Sequence, residues 1–225
     1  MFENLTLADI PKKNCGILRK HTGTRPVIWR IEENGIKAIV KDFSFNNFWF
    51  RNIFGRFLIW REKKAYKIIE GLSGVPAFFG SLGGIALIIE EIQGTDIGGI
   101  EVIGTTLDEK FFRDLKKLID RFHDRGIAHC DLKRTPNILF GDDGNPYIID
   151  WAASISISEF RFFPLNLIYE RFLQDDLNAV TKIKMRCCPE NVSLEERLRY
   201  TEQSSVEKVV RTIRDWLRDF LKKIT

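Results

Sequence analysis

The spacing of hydrophobic positions along this chain changes several times, and each change marks an element. The run VIWRI at 27–31 and the run IKAIVKDF at 36–43 are rich in β-branched and aromatic residues. Glu33-Asn34-Gly35 lies between them, so the pair predicts a β-hairpin with a tight turn. Residues 55–72 switch to helical spacing, with Leu58, Ala65, Ile68 and Ile69 on one face and Gly71 as the stop. ALIIEEIQG, at 86–94, predicts a buried strand followed by a polar exit. A second helix is predicted over 106–126: Thr106 and Glu109 stand at capping-box spacing, Phe112, Leu115, Ile119 and Phe122 share a face, and Gly126 ends it. Ile138-Leu139-Phe140, the turn-rich GDDGNP and Tyr147-Ile148-Ile149 predict another hairpin over 138–149. DDLNAVTKIKMR, from Asp175, predicts a helix. Val206, Val209, Val210, Ile213, Trp216, Leu217, Phe220 and Ile224 form a last helical stripe among basic residues. Such a stripe is expected to pack on its own chain, with attachment to a membrane as the second reading.

The polar residues at the ends of the 138–149 hairpin carry the chemistry. Asn137 precedes its first strand and Asp150 follows its second. With the turn centred near Asp143 and Gly144, the two face each other, and two oxygen ligands there suit one hard cation. Asp131, six residues before Asn137, lies in the entering loop, where a carboxylate can accept a hydrogen bond from a substrate hydroxyl. Phosphoryl transfer needs charge neutralised on the moving group and the attacking hydroxyl oriented, which two aspartates, an asparagine and Mg²⁺ can supply. An ordinary hairpin with Asp and Asn as turn formers leaves the His-x-Asp-Leu-Lys lead-in unexplained. The chain therefore reads first as a kinase.

HCDLKRTPNIL, at 129–139, resembles the catalytic loop of the protein-kinase-like superfamily, and IIDWA, at 148–152, resembles the strand that ends in the metal-binding Asp of Asp-Phe-Gly. The resemblance implies Asp131 as catalytic base, Lys133 as a contact to the transferred phosphate, Asn137 and Asp150 as Mg²⁺ ligands, and His129 as a support of the loop. Two departures stand out. Asn137 comes six residues after the aspartate instead of five, with Pro136 in the added length. Trp151 and Ala152 replace Phe and Gly, which argues against a flipping switch.

Lys41 matches the strand lysine that pairs with the α and β phosphates of ATP, although a strand lysine alone is more often a solvated edge residue. Glu62 is its expected helix partner and Glu70 the alternative; without the resemblance, Glu62 reads as a surface pair on its own helix. Glu90, Glu91 and Ile92 are the expected hinge, binding adenine through the backbone. No G-x-G-x-x-G occurs in the first forty residues. Gly23 is the single glycine where a phosphate-covering loop belongs, and Lys20, Arg25 and Arg30 are the charges available to it. Asp175 or Asp176 either anchors the catalytic loop or caps a helix. The implied fold is α+β and bilobal, protein-kinase-like, with a small β-rich N-lobe over about 1–91 and a mainly helical C-lobe over about 92–225, together one domain.

Composition narrows the setting. A chain of 225 residues with 44% hydrophobic content can bury the core of one domain in two lobes. Cys15, Cys130, Cys187 and Cys188 show no metal-like Cys-x-x-Cys spacing, and the N-terminus does not resemble a signal peptide, so a cytoplasmic location is expected. A net charge of +4 is too mild to argue for a nucleic-acid partner. Residues 43–64 pack eight aromatic rings among arginines and lysines. That mixture suits an interfacial segment on an anionic membrane, while burial in the N-lobe core is the expectation for most of the rings.

The pattern WFRN-x-x-GRFL-x-x-RE, then GL-x-GVP, together with HCDLKRTPNIL, is similar to small bacterial kinases of the lipopolysaccharide-core type, relatives of the RIO kinases, over roughly residues 28–190. This resemblance implies ATP- and Mg²⁺-dependent phosphorylation of a sugar hydroxyl on a glycolipid, with peripheral contact on the cytoplasmic face of the inner membrane. A RIO-like serine/threonine kinase acting on a protein hydroxyl is the alternative. A catalytically weak, kinase-like binding protein is the second alternative, on the missing Gly-rich loop and the altered Asp131–Asn137 spacing. The short stretch after Asp150, without Ala-Pro-Glu, gives a peptide acceptor little support.

Overall fold

Asn34 and Gly35 both adopt positive φ, 53° and 77°, and so close a two-residue turn whose twist matches the flanking strands. Around this turn a computed structural model builds the expected hairpin, with Glu33 opposite Ile36 and Ile28 opposite Lys41. The structure describes residues 2, 5–103, 107–162 and 165–201. The chain forms two compact units, Met1–Gly71 with Val75–Ile92, and Leu72–Gly74 with Gln93–Thr225.

The first unit is built on five antiparallel strands, β1 (Asn14–Arg19), β2 (Val27–Glu33), β3 (Ile36–Asp42), β4 (Phe78–Leu82) and β5 (Ala86–Glu90), in the order β1-β2-β3-β5-β4. Alternate residues on one face, among them Trp29, Ile31, Ala38, Val40 and Ile88, bury together with Phe2, Leu5 and Ile10. This is the period-2 signature of a strand with one face on a core. Lys41 points to the other face, because it lies one residue beyond buried Val40.

A helical run follows: α1 (Phe48–Phe50), a π-turn (Arg51–Gly55) and α2 (Arg56–Ile68). Its buried side is Ile59, Glu62, Ala65 and Tyr66, continued by Ile69. The expected stripe through Leu58 and Ile68 is displaced one position round the helix, and both are half-buried. Tyr66 stacks on Phe78 of β4, ring centroids 6.1 Å apart, and this sets which face turns inward. The expectation that most rings of 43–64 fill the core is overturned. Phe43 is buried, but Phe45, Phe48, Trp49, Phe57 and Trp60 are exposed. One helix face meets the sheet, and other residues already fill it.

The second unit is mainly helical, with α3 (Ile97–Ile103), α4 (Glu109–Asp124), α5 (Leu165–Cys187) and α6 (Leu194–Thr201). β6 (Gly94–Asp96), β8 (Ile138–Gly141) and β9 (Pro146–Ile148) form one small sheet, and β7 (Ile127–Ala128) pairs with β10 (Ile155–Ser156). Phe112, Leu115, Ile119 and Phe122 of α4 are buried as their spacing predicts, and Gly126 ends the turn at φ +75°. The cap of α4 is Asp108, whose carboxylate accepts from the Phe111 N–H at 2.8 Å; Thr106 lies outside the described residues. Asp175 and Asp176 sit inside α5, so neither is a helix cap. The stripe at 206–224 also lies outside the described residues. No helix among the described residues is long and apolar enough to cross a membrane.

The hairpin register differs from expectation by one residue. Ile138 pairs with Ile148, so Asn137 faces Ile149 instead of Asp150. The reason is the turn: the Gly141 N–H donates to the Asn145 carbonyl at 2.9 Å and centres the loop on Asp143, with Gly144 at φ +78°.

Candidate active site

The loop between β7 and β8 is held from beneath by one buried carboxylate. Asp176, on α5, accepts from the N–H of His129 at 2.7 Å and from the N–H of Cys130 at 2.9 Å. His123 Nε2, from α4, lies 3.2 Å from the same carboxylate. Of the two candidate anchors, the geometry selects Asp176. These bonds stabilise a kink, because Cys130 stands in the left-handed region at φ +67°, where a side chain is strained. Below the kink Tyr169 packs with Ala128 and Ile155, and burial pushes its phenol up to about 12.

His129 is fully buried and ties two segments together. Its Nδ1 accepts from the Asp131 N–H at 3.3 Å, and its Nε2 lies 3.0 Å from the Ile149 carbonyl. A nitrogen that accepts from N–H carries no proton, so the neutral ring with hydrogen on Nε2 satisfies both bonds. Burial pushes the imidazole below its usual pKa, against the pull of Asp176. Trp151 packs edge-on against His129 and Phe122 with no exposed surface, and its indole N–H donates to the Ile148 carbonyl at 3.2 Å. A ring so enclosed is fixed in place.

Asp131 and Asn137 meet. The Asn137 amide nitrogen donates to the Asp131 carbonyl at 3.0 Å and to its carboxylate at 3.2 Å. A 3-10 turn over Thr135–Asn137, opened by Pro136, absorbs the extra residue of spacing and brings the amide back. Half-burial raises the Asp131 carboxyl above its ordinary pKa, while the Arg134 guanidinium, 3.5 Å away, pulls it down. Lys133 pairs with Asp175 at 3.4 Å, and Asp175 also pairs with Arg171. Asp150 terminates the hairpin at φ +66° and turns the chain sharply, while Ile149 before it donates to the Asn137 carbonyl at 2.9 Å. Arg134 and Arg171 escaped the sequence reading, since nothing in their spacing separates them from surface charge.

The other unit carries its own group of charged residues. Lys41 on β3 pairs with Glu62 on α2 at 2.5 Å, and both side chains are nearly out of solvent. Glu70, the alternative, is exposed past the end of α2. At the end of β5 the Glu90 N–H donates to the Ala77 carbonyl and the Glu91 N–H to the Lys37 carbonyl. Both groups are thereby committed within the sheet, and Ile92 follows them as the last residue of the unit. The Glu91 side chain is taken by Arg30 at 2.6 Å, so Arg30 is not an uncommitted charge for the β1–β2 loop. Lys20 and Arg25 remain exposed on that loop, and Gly23 turns it at φ +47°. Asn46, buried after β3, donates to the Gly23 and Arg25 carbonyls at 2.7 and 3.2 Å and so pins the loop. The Asn46-Asn47 pair among aromatic residues gave no signal of this.

A five-stranded sheet bearing a buried lysine–glutamate pair, followed by a mainly helical part with a kinked aspartate loop, defines an α+β, protein-kinase-like fold. Among solved structures, the chain is similar to the crystal structure of the Rio2 kinase-ADP/Mg²⁺-phosphoaspartate complex from Chaetomium thermophilum, with a TM-score of 0.58 and 18% sequence identity over 83% of this chain. The match spans 60% of that structure's chain. No family model and no curated protein matches the chain.

Proposed function

We propose that this protein is an ATP- and Mg²⁺-dependent phosphotransferase whose acceptor is a sugar hydroxyl of the lipopolysaccharide core, acting on the cytoplasmic face of the inner membrane. The observation that carries the catalytic part is the Asp131–Asn137 contact inside a loop locked by Asp176. Asp131 receives the acceptor hydroxyl and takes its proton. Asn137 gives its amide nitrogen to Asp131, which leaves the amide oxygen to serve as one ligand, with the Asp150 carboxylate proposed as the other. One amide and one carboxylate suit Mg²⁺, which usually keeps waters and is completed by nucleotide phosphates. Among the described residues no cluster of three or more His, Cys, Asp or Glu side chains competes as a self-sufficient metal cage.

Bound ATP with Mg²⁺ supplies the phosphoryl group and neutralises its charge. Lys41, paired with Glu62, would hold the α and β phosphates on this reading, and Lys133, paired with Asp175, would contact the group in transfer. The Glu90 and Glu91 N–H groups are committed, so adenine would have to be bound through other backbone groups of the 90–92 segment. A sugar acceptor is favoured because the chain passes from Asp150 through short 3-10 turns to α5 by Leu165, offering little platform for a peptide. The second reading, a protein-hydroxyl acceptor, is favoured by the fold likeness to Rio2 kinase.

The test is incubation with Mg²⁺ and γ-labelled ATP in three arms: purified lipopolysaccharide, a protein panel, and enzyme alone. Label in the glycolipid, lost in Asp131→Asn, is the expected result. Label only in protein moves the acceptor to the second reading. Identical behaviour of wild type and Asp131→Asn in every arm removes the enzyme reading and leaves a kinase-like binding protein.

A further inference from the structure

The helical run of 48–68 has a second apolar face, and no described residue of its own unit buries it. Phe48, Trp49, Ile53, Phe57 and Trp60 are each at least half exposed, Trp49 at 73%. Positions 49, 53, 57 and 60 follow helical spacing, so they form one stripe. The opposite side, through Ile59, Ala65 and Tyr66, is already buried. Isolated exposed hydrophobics are ordinary on a protein surface; a contiguous stripe of large rings marks an interaction site.

The charge around the stripe identifies what it meets. From Phe43 to Arg61 the sequence holds no Asp or Glu, and the first acid, Glu62, is buried against Lys41. The cations stand over the rings themselves: Arg51 lies 5.8 Å from the Phe48 ring centroid, Arg61 5.8 Å from Phe57, and Lys64 6.0 Å from Trp60. A second copy of this chain fits poorly, because an isologous contact would set this positive surface against itself. A surface that is negatively charged outside and apolar just beneath fits both features, with rings entering the acyl boundary and cations meeting headgroups.

We infer that the stripe from Phe48 to Trp60, with Arg51, Arg61 and Lys64, docks this unit on an anionic phospholipid bilayer. The inference rests on this surface alone and holds independently of the phosphotransferase reading. No described helix is long and apolar enough to span, so the association is interfacial.

The test uses the full chain and sedimentation with vesicles of phosphatidylethanolamine and phosphatidylglycerol at 3:1, or of phosphatidylcholine alone. Wild type is expected to pellet with the anionic vesicles, with a blue shift in tryptophan emission. The triple variant Trp49→Ser, Phe57→Ser, Trp60→Ser should bind at least tenfold more weakly, and Arg61→Glu with Lys64→Glu should lose the preference for anionic lipid. Circular dichroism and the thermal shift given by ATP with Mg²⁺, measured without lipid, check that the variants fold. The proposal is overturned if wild type stays in the supernatant, if the triple variant pellets like wild type, or if the stripe instead drives concentration-dependent self-association that the triple variant abolishes. Vesicle binding without any nucleotide-induced shift upholds the docking surface and counts against the phosphotransferase reading alone.

Discussion

The Cys130 N–H donates to the Asp176 carboxylate at 2.9 Å, and Cys130 is the residue held at φ +67° immediately before Asp131. A helix residue 46 positions away thus stabilises the kink that precedes Asp131.

Removing that carboxylate orphans the N–H groups of His129 and Cys130, and a buried unsatisfied donor costs about 1–3 kcal/mol. Asp176→Ala is therefore expected to lower the unfolding free energy by roughly 2 kcal/mol or more. Asp176→Asn should lose less, because its remaining oxygen still accepts. Urea titration followed by circular dichroism measures both, and wild-type stability in Asp176→Ala would mean that the loop is held by other contacts.

Cys130 itself is open to a backbone test. A left-handed conformation costs a residue with a side chain roughly 1–2 kcal/mol, a strain that glycine does not carry. Glycine also forfeits the packing of the thiol, so Cys130→Gly should be neutral or more stable by up to about 1 kcal/mol. Cys130→Val should be clearly less stable, since a β-branched residue tolerates positive φ least. Thermal melts that rank Val above Gly would contradict the kink.

His129 makes stability depend on pH. Its folded pKa lies below the ordinary 6.5, so the unfolded chain takes up a proton first as pH falls. The stability it contributes is present above about pH 6.5 and is lost as pH drops through the folded value. His129→Gln should flatten this acid slope even if it lowers stability throughout. Denaturation midpoints between pH 5 and 8 read the slope; an unchanged slope would assign it to other groups.

On the proposed phosphotransferase reading, Asp131 should set the acid limb of the rate profile. Only the carboxylate can accept the hydroxyl proton, so activity falls as pH drops through its pKa, which burial holds above the ordinary value of 3.8. Arg134→Ala removes an opposing charge, and the limb should move to higher pH. Asp131→Asn should lower kcat by roughly 10²- to 10⁴-fold with the fold intact. An acid limb that ignores Arg134, together with near-normal turnover in Asp131→Asn, would place the base elsewhere.

Local rules were enough for much of this molecule. The Asn34-Gly35 turn, the buried face of α4, the stop at Gly126 and the polar residues flanking the second hairpin were legible because each depends on neighbours within a few positions. Spacing alone also put Asp131, Asn137 and Asp150 on one loop and hairpin. The one-residue shift that sets Asn137 against Ile149 was decided by hydrogen bonding inside the 141–145 turn, which composition does not specify. Tertiary packing decided the rest. The choice of Asp176 over Asp175, of Glu62 over Glu70, and the pinning of Gly23 by Asn46 all join residues about twenty or more positions apart. The exposed rings of 48–60 show the same limit: periodicity reports that a face is apolar, but only the space already filled beneath α2 decides which apolar face stays outside.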